Sequence, residues 1–322
     1  MKIPASYANA VAVSAQKTLI PKSRFLAATE AKTAADALET LTSTGFGKGT
    51  EISGAGEYEK LAAAESVALR RFIDEYACAD VAHYCFLKSD FFNCDVAVRR
   101  AYFGYDGEYL PDGETDVEEI ERYVSTGSAD VPERIAKVAD ELIALAGKED
   151  RAGVDFSLVT LKSYYAAALG FIRSPFIRSL IRAEIDCCNI SAYFRASGSE
   201  AAEKQFISGG KLAKAKLSPV LSGDSSKIRT AFLFTPYLDA IDACIKAKAE
   251  RRPLAAFEKI RDDYPMSRLY DRRYASEGIT PTLLYAVYKR AEIRNFRTVI
   301  SGKLASSDPE AIAGRLRDGY LG

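Results

Sequence analysis

The sequence predicts an all-α protein. Apolar residues recur at the helical period along most of the chain, signals that start helices are frequent, and alternating β-branched runs bounded by turns are scarce. Thr33 followed by Asp36 has the spacing of a capping box, with Asp in place of the usual Glu, and so marks a helix start. The Gly-rich stretch Gly45 to Gly56 then breaks the pattern. Cys78 and Cys85, seven apart, fall on one helix face, where they are expected to pack as small hydrophobes. Beyond a second break from Gly104 to Gly113, Thr115 and Glu118 have the capping-box spacing again, and Ile120 and Val124 follow one turn apart. After Gly127 to Pro132, Ile135, Val138, Leu142 and Leu145 form one apolar face. Leu158, Leu161, Tyr164, Tyr165, Leu169 and Ile172 form another. Breaks at Ser197 to Gly210 and Ser218 to Asp224 precede three helix starts. Thr235-Pro236, Thr280-Pro281 and Asp308-Pro309 each place a capping side chain before a proline.

Composition narrows the function. The chain has 322 residues, 44 basic and 44 acidic, with formal net charge +0. That balance argues against a general nucleic-acid binder, which is markedly basic. The longest run free of charged side chains, Ile3 to Gln16, is shorter than a membrane span and too polar for a signal peptide. The expected protein is therefore intracellular, with the whole chain retained. Charge is nevertheless uneven along the sequence. Residues 1–205 carry 23 basic and 31 acidic side chains, and residues 206–322 carry 21 and 13. Between Asp106 and Asp155, 15 carboxylates face five basic residues.

Known site chemistries fail one by one. His83 is the single histidine, so multi-His zinc sites are excluded, and the six cysteines contain no CxxC pair. In Gly45-Phe-Gly-Lys-Gly-Thr50 a glycine follows the lysine, and in Gly209-Gly210-Lys211 a leucine does, so neither is a phosphate-binding loop. Asp262-Asp263 lacks the further carboxylate one turn on that a magnesium-diphosphate motif requires, and Pro265 is expected to disrupt the helix there. No metal, cofactor or catalytic residue is expected. Residue chemistry alone indicates a protein that is not an enzyme.

A threefold internal repeat is the most informative feature. Asp90-Phe-Phe-Asn93, Asp186-Cys-Cys-Asn189 and Glu292-Ile-Arg-Asn295 each place an acid three residues before an Asn, and the copies lie 96 and 106 residues apart. Positions −2, +1 and +5 from the Asn are Phe91, Cys94 and Val98, then Cys187, Ile190 and Phe194, then Ile293, Phe296 and Ile300. On a helix these fall on one stripe, which the Asn and its acid border. Arg99 and Arg195 follow at +6 in two copies. Three similar helical units are expected, over 1–110, 111–205 and 206–322. The Asn and acid side chains, with Arg99 and Arg195, are expected to tie helices together by polar contacts, rather than to bind a ligand.

The residues also resemble a known family. The C-terminal run Ala291 to Leu304, with Asp308 to Leu316 and Tyr320, is similar to the end of the C subunits of the bacterial and archaeal V/A-type rotary ATPases, related to the d subunit of the eukaryotic vacuolar enzyme. Ile181 to Ile190, Tyr193 to Ala196, Phe206 to Leu212, Thr235-Pro-Tyr237, Tyr7 to Ala10 and Thr44 to Gly47 agree with it. The chain departs from the family at Val11, Val13 and Ser14, where arginines are common, and at Asp95, where a basic residue is usual. The resemblance implies a funnel of three similar units about a pseudo-threefold axis, on the cytoplasmic face of the membrane proteolipid ring. It implies a cavity that receives the central shaft, built from the D and F subunits. The implied role is passing torque for ATP-coupled proton or sodium transport, without catalysis, nucleic acid or a membrane span. The acidic stretch and the basic C-terminal third are then expected on different faces. Residue chemistry alone leaves an alternative, a stand-alone helical adaptor, which predicts neither flanking genes for other rotary components nor recovery with membranes.

Overall fold

The computed structural model describes residues 3–148 and 155–320, and among these it contains helices and no strand. Glu149 and Asp150 of the acidic stretch lie outside the described residues. In chain order the helices are α1 (Ala5–Gln16), α2 (Lys22–Thr29), α3 (Ala34–Thr42), α4 (Tyr58–Tyr76), α5 (Ala79–Phe103), α6 (Val117–Thr126), α7 (Glu133–Ala146) and α8 (Phe156–Phe171). They continue as α9 (Pro175–Arg195), α10 (Ser199–Gln205), α11 (Lys214–Leu217), α12 (Ser225–Phe232), α13 (Leu238–Ala249), α14 (Ala255–Tyr270), α15 (Thr280–Leu304) and α16 (Pro309–Ala313).

Local chemistry sets many of these boundaries, and several differ from expectation. Thr33 and Asp36 close a complete capping box on α3, and Asp308 caps α16 through the Ala311 N–H. The expected cap of Thr115 on α6 is replaced by Asp116, which accepts from the Glu118 N–H, because Thr115 is bound to Asp90 instead. Thr235 does not start a helix. Its hydroxyl accepts from the Tyr237 N–H within a turn, and α13 begins at Leu238. Thr280 is already helical in α15, and Pro281 sits in the first turn, where its missing N–H leaves no bond unmade. The expected break at Pro265 is also absent, since α14 runs through it with the proline ring buried. The Ser197 to Gly210 break carries the short α10. Cys78 is exposed just before α5, not packed beside the buried Cys85.

The chain divides into two compact units. One joins Met1–Val81 to Pro253–Gly322, and the other is Ala82–Arg252, with the boundary in the first turn of α5. In the first, α15 is central. Phe296, Val299 and Ile300 pack with Phe25, Leu41, Phe46, Leu61 and Ile312, and the Phe46 and Phe296 rings stack at 4.2 Å. In the second, α6, α7, α8 and α9 pack each on the next. Ile120, Ile135, Leu142, Tyr165 and Ile181 are almost wholly buried there. Each such side chain contributes about 1.5–3 kcal/mol of apolar burial.

Candidate functional site

The three acid–Asn pairs sit at corresponding places on the long helices α5, α9 and α15. All nine stripe positions, Phe91, Cys94, Val98, Cys187, Ile190, Phe194, Ile293, Phe296 and Ile300, are buried. Beside the stripe, Asp90, Asn93, Asp186, Asn189, Glu292 and Asn295 are buried as well. Six buried polar side chains on three helices require partners, and the structure supplies them.

Each Asn clamps one backbone residue in the segment that follows its helix. The Asn93 amide donates to the Leu110 carbonyl at 2.9 Å, and its oxygen accepts from the Leu110 N–H at 2.7 Å. Asn189 makes the same pair with Ile207, both bonds at 2.8 Å. Asn295 makes it with Arg317 at 2.9 and 2.8 Å. The clamped residues are all non-helical. The amide therefore satisfies both polar groups of an otherwise orphaned residue.

Each acid grips a second backbone N–H one turn back along the helix. Asp90 accepts from the Thr115 N–H at 2.9 Å and from its hydroxyl at 3.1 Å. Asp186 accepts from the Leu212 N–H at 2.8 Å and the Tyr237 hydroxyl at 2.7 Å. Glu292 accepts from the Ile20 N–H at 2.6 Å, across 272 residues of sequence. It also pairs with Lys289, which reaches Glu65 at 2.5 Å. Close approach of the returning backbone excludes a side chain at two positions. A Cβ on Gly113 would lie 2.5 Å from Asp90 Oδ1, and one on Gly210 would intrude further on Asp186.

Burial shapes the electrostatics. It pushes the Asp90 carboxyl up to about 6, against the Thr115 bond, and Glu114 adds to the rise. Asp186 and Glu292 are raised by the same desolvation. For Lys289 burial opposes the ammonium, but Glu292 and Glu65 outweigh it and hold the lysine charged. Asp262 goes the other way. Burial raises it, yet the Arg261, Arg294 and Arg317 guanidiniums more than offset that and hold it low.

The two +6 arginines stand outside the clamps. Arg99 bonds Asp95 and Ser157, both at 2.8 Å, and Arg195 is exposed at the end of α9. Lys289, Glu65, Tyr237, Thr115 and the two glycines belong to the site, although the repeat pattern does not single them out. Gly113 and Gly210 do carry a usable signal, since they follow their Asn by 20 and 21 residues. His83 bonds Glu114 at 3.0 Å, and Arg134 holds the same carboxylate at 3.1 Å. Glu114, Asp116, Glu119, Asp130 and Arg134 line an open pocket of about 440 Å³ in the acidic stretch.

Chemically, the clamps fasten backbone. Among the described residues no group of His, Cys, Asp and Glu could hold a metal ion, and no helix is long and apolar enough to cross a membrane. A comparison with family models decides what kind of scaffold this is: the model of the ATP synthase (C/AC39) subunit matches residues 8–315. The chain belongs to that family. The C/AC39 subunit is a non-catalytic part of a V/A-type rotary ATPase, and this chain is accordingly a subunit of such a complex and not an enzyme. No curated protein matches the chain in a sequence search.

Proposed function

We propose that this C/AC39 subunit links the central shaft, built from the D and F subunits, to the membrane proteolipid ring and transmits torque between them. On this proposal it sits peripherally on the cytoplasmic face, as a funnel of three similar units about a pseudo-threefold axis. The observation that carries the proposal is the family match running through nearly the whole chain. The clamps support it physically. A torque-bearing element needs returning segments fixed to long helices, and each clamp does this with bonds from a buried Asn side chain, fully buried in the Asn189 clamp.

The acidic stretch and the basic C-terminal third are proposed to serve different partners. Glu114, Asp116, Glu119 and Asp130 around the open pocket offer a negative surface suited to a basic shaft element. The test is binding of the purified chain to detergent-solubilised proteolipid ring, with and without the D–F shaft. Joining the two in one particle at defined stoichiometry supports the proposal, and binding to neither overturns it. Reversing Asp116, Glu119 and Asp130 should weaken shaft binding at low salt. Unchanged affinity would remove the acidic surface as the socket.

A further inference from the structure

The third clamp differs from the first two in where its partner comes from. Asp90 and Asp186 grip residues 25 and 26 positions downstream in the same stretch of chain. Glu292 grips Ile20, which belongs to the other end of the molecule. In all three cases the gripped residue immediately precedes the N-cap of the next helix. Thr115 precedes Asp116 of α6, Leu212 precedes Ala213 of α11, and Ile20 precedes Pro21 of α2. Ile20 thus holds, in the third clamp, the place that Thr115 and Leu212 hold in the first two.

We infer that the third repeat is completed by the N-terminal segment, joined to it at a noncovalent clasp between Glu292 and Ile20. The repeats then run from α5 to α8, from α9 to α13, and from α15 through the clasp to α4. Each contains one long helix, one Asn clamp, one acid grip and a return of shorter helices. These boundaries shift from thirds of the sequence to the starts of the long helices. In this arrangement α1 precedes the clasp and has no counterpart in the other repeats. It packs on α15 and buries Ala8, Asn9 and Ala12.

Chemistry at the joint fits this assignment. Where the chain is continuous, the direct side-chain and backbone donors to the Asp are neutral, and Arg134 and Lys211 act only through their charge or backbone. At the joint the acid is the longer Glu292, backed by Lys289 and Glu65 from α4. Two further contacts bind the ends together. Lys22 pairs with Asp318 at 2.8 Å, and the Lys22 N–H donates to the Tyr320 carbonyl at 3.0 Å. The clasp is thus a joint that opens without breaking a covalent bond, loosening residues 18–29 while α1 stays packed on α15. It goes beyond the rotary proposal and stands or fails independently of it.

The test is amide hydrogen exchange on the full chain, comparing wild type with Glu292→Gln and Lys289→Met. Exchange in residues 18–29 should accelerate at least ~10-fold in both variants, with Thr115 and Leu212 unchanged. Unchanged exchange at 18–29, or equal acceleration at all three places, overturns the inference. A permutant with Gly322 joined to Met1 by a flexible linker, and new ends between Arg251 and Arg252, keeps the test decisive if a variant does not fold. It should fold with wild-type helix content, and in it Glu292→Gln should leave 18–29 protected. A permutant that does not fold, or one in which the substitution still releases 18–29, overturns the inference too.

Discussion

In the clamp on α9, Asp186 is answered by the Leu212 N–H and the Tyr237 hydroxyl, both neutral donors. In the clamp on α15, Glu292 is answered by the Ile20 N–H and the Lys289 ammonium, which Glu65 shares. Both acids are buried, and burial raises both. The same geometric task is therefore done once mainly by hydrogen bonds, with the Lys211 charge nearby, and once by a buried ion network. A neutral clamp loses little beyond its bonds when altered, whereas removal of one charge from the ionic clamp strands the others in a medium that penalises them.

The sharpest way to break this comparison is Lys289→Met. It leaves Glu292 and Glu65 together without their cation, and the expected loss is about 3–5 kcal/mol in urea unfolding. Asn189→Leu comes next. It orphans the N–H and carbonyl of Ile207 inside the protein, and about 3 kcal/mol is expected from the same measurement. A Lys289 variant less damaging than the Asn189 variant would reverse the ranking of the two clamps.

The clamp on α5 adds a pH-dependent contrast. Asp90 has a folded-state pKa of about 6 against an ordinary value of 3.8, so the folded protein binds its proton more tightly than the unfolded chain. The associated stability is fully present below about pH 4 and is lost as pH rises through about 6. Asp90→Asn removes this dependence. The wild-type-minus-variant stability should fall by roughly 2–3 kcal/mol between about pH 4 and 7. A flat difference would show that Asp90 is not held neutral by its surroundings.

Glycine substitutions sharpen the comparison more gently. Gly210→Ala and Gly113→Ala press a Cβ into the gripping carboxylate and should each cost about 1–3 kcal/mol. At Gly319 the nearest atom to an added methyl is Asn295 Nδ2 at 3.8 Å, so alanine there should cost under about 0.5 kcal/mol. Thermal unfolding of the three variants checks the order. A comparable loss, about 1–3 kcal/mol, is expected for Arg99→Ala, because it leaves the buried Asp95 carboxylate without its guanidinium.

Much of this is legible in the sequence, for a physical reason. Helical period and the acid-to-Asn spacing act within one helix, and local spacing is what a sequence displays directly. The nine stripe residues follow from that spacing, and all are buried. Partners that lie across the fold are not legible. Nothing near Glu292 points to Ile20 or Glu65, and Tyr237 reaches Asp186 from 51 residues away. Caps follow the sequence signal where no stronger partner competes, as at Thr33 and Asp308. At Thr115 the buried carboxylate of Asp90 draws the side chain away, and the helix takes its neighbour Asp116 as cap. The +6 arginines share the repeat spacing, yet Arg99 is engaged by Asp95 on its own helix and by Ser157.

The asparagine clamps also carry an evolutionary consequence. The spans they close are 17, 18 and 22 residues long, and they hold no helix, α10 and α16 respectively. Each amide works as a rivet that fixes where an excursion ends and is indifferent to what the excursion contains. Such excursions are interchangeable cassettes. Their exposed positions can vary to fit new neighbours, while buried members such as Ala202 and Ile312 tie them to the helices beneath.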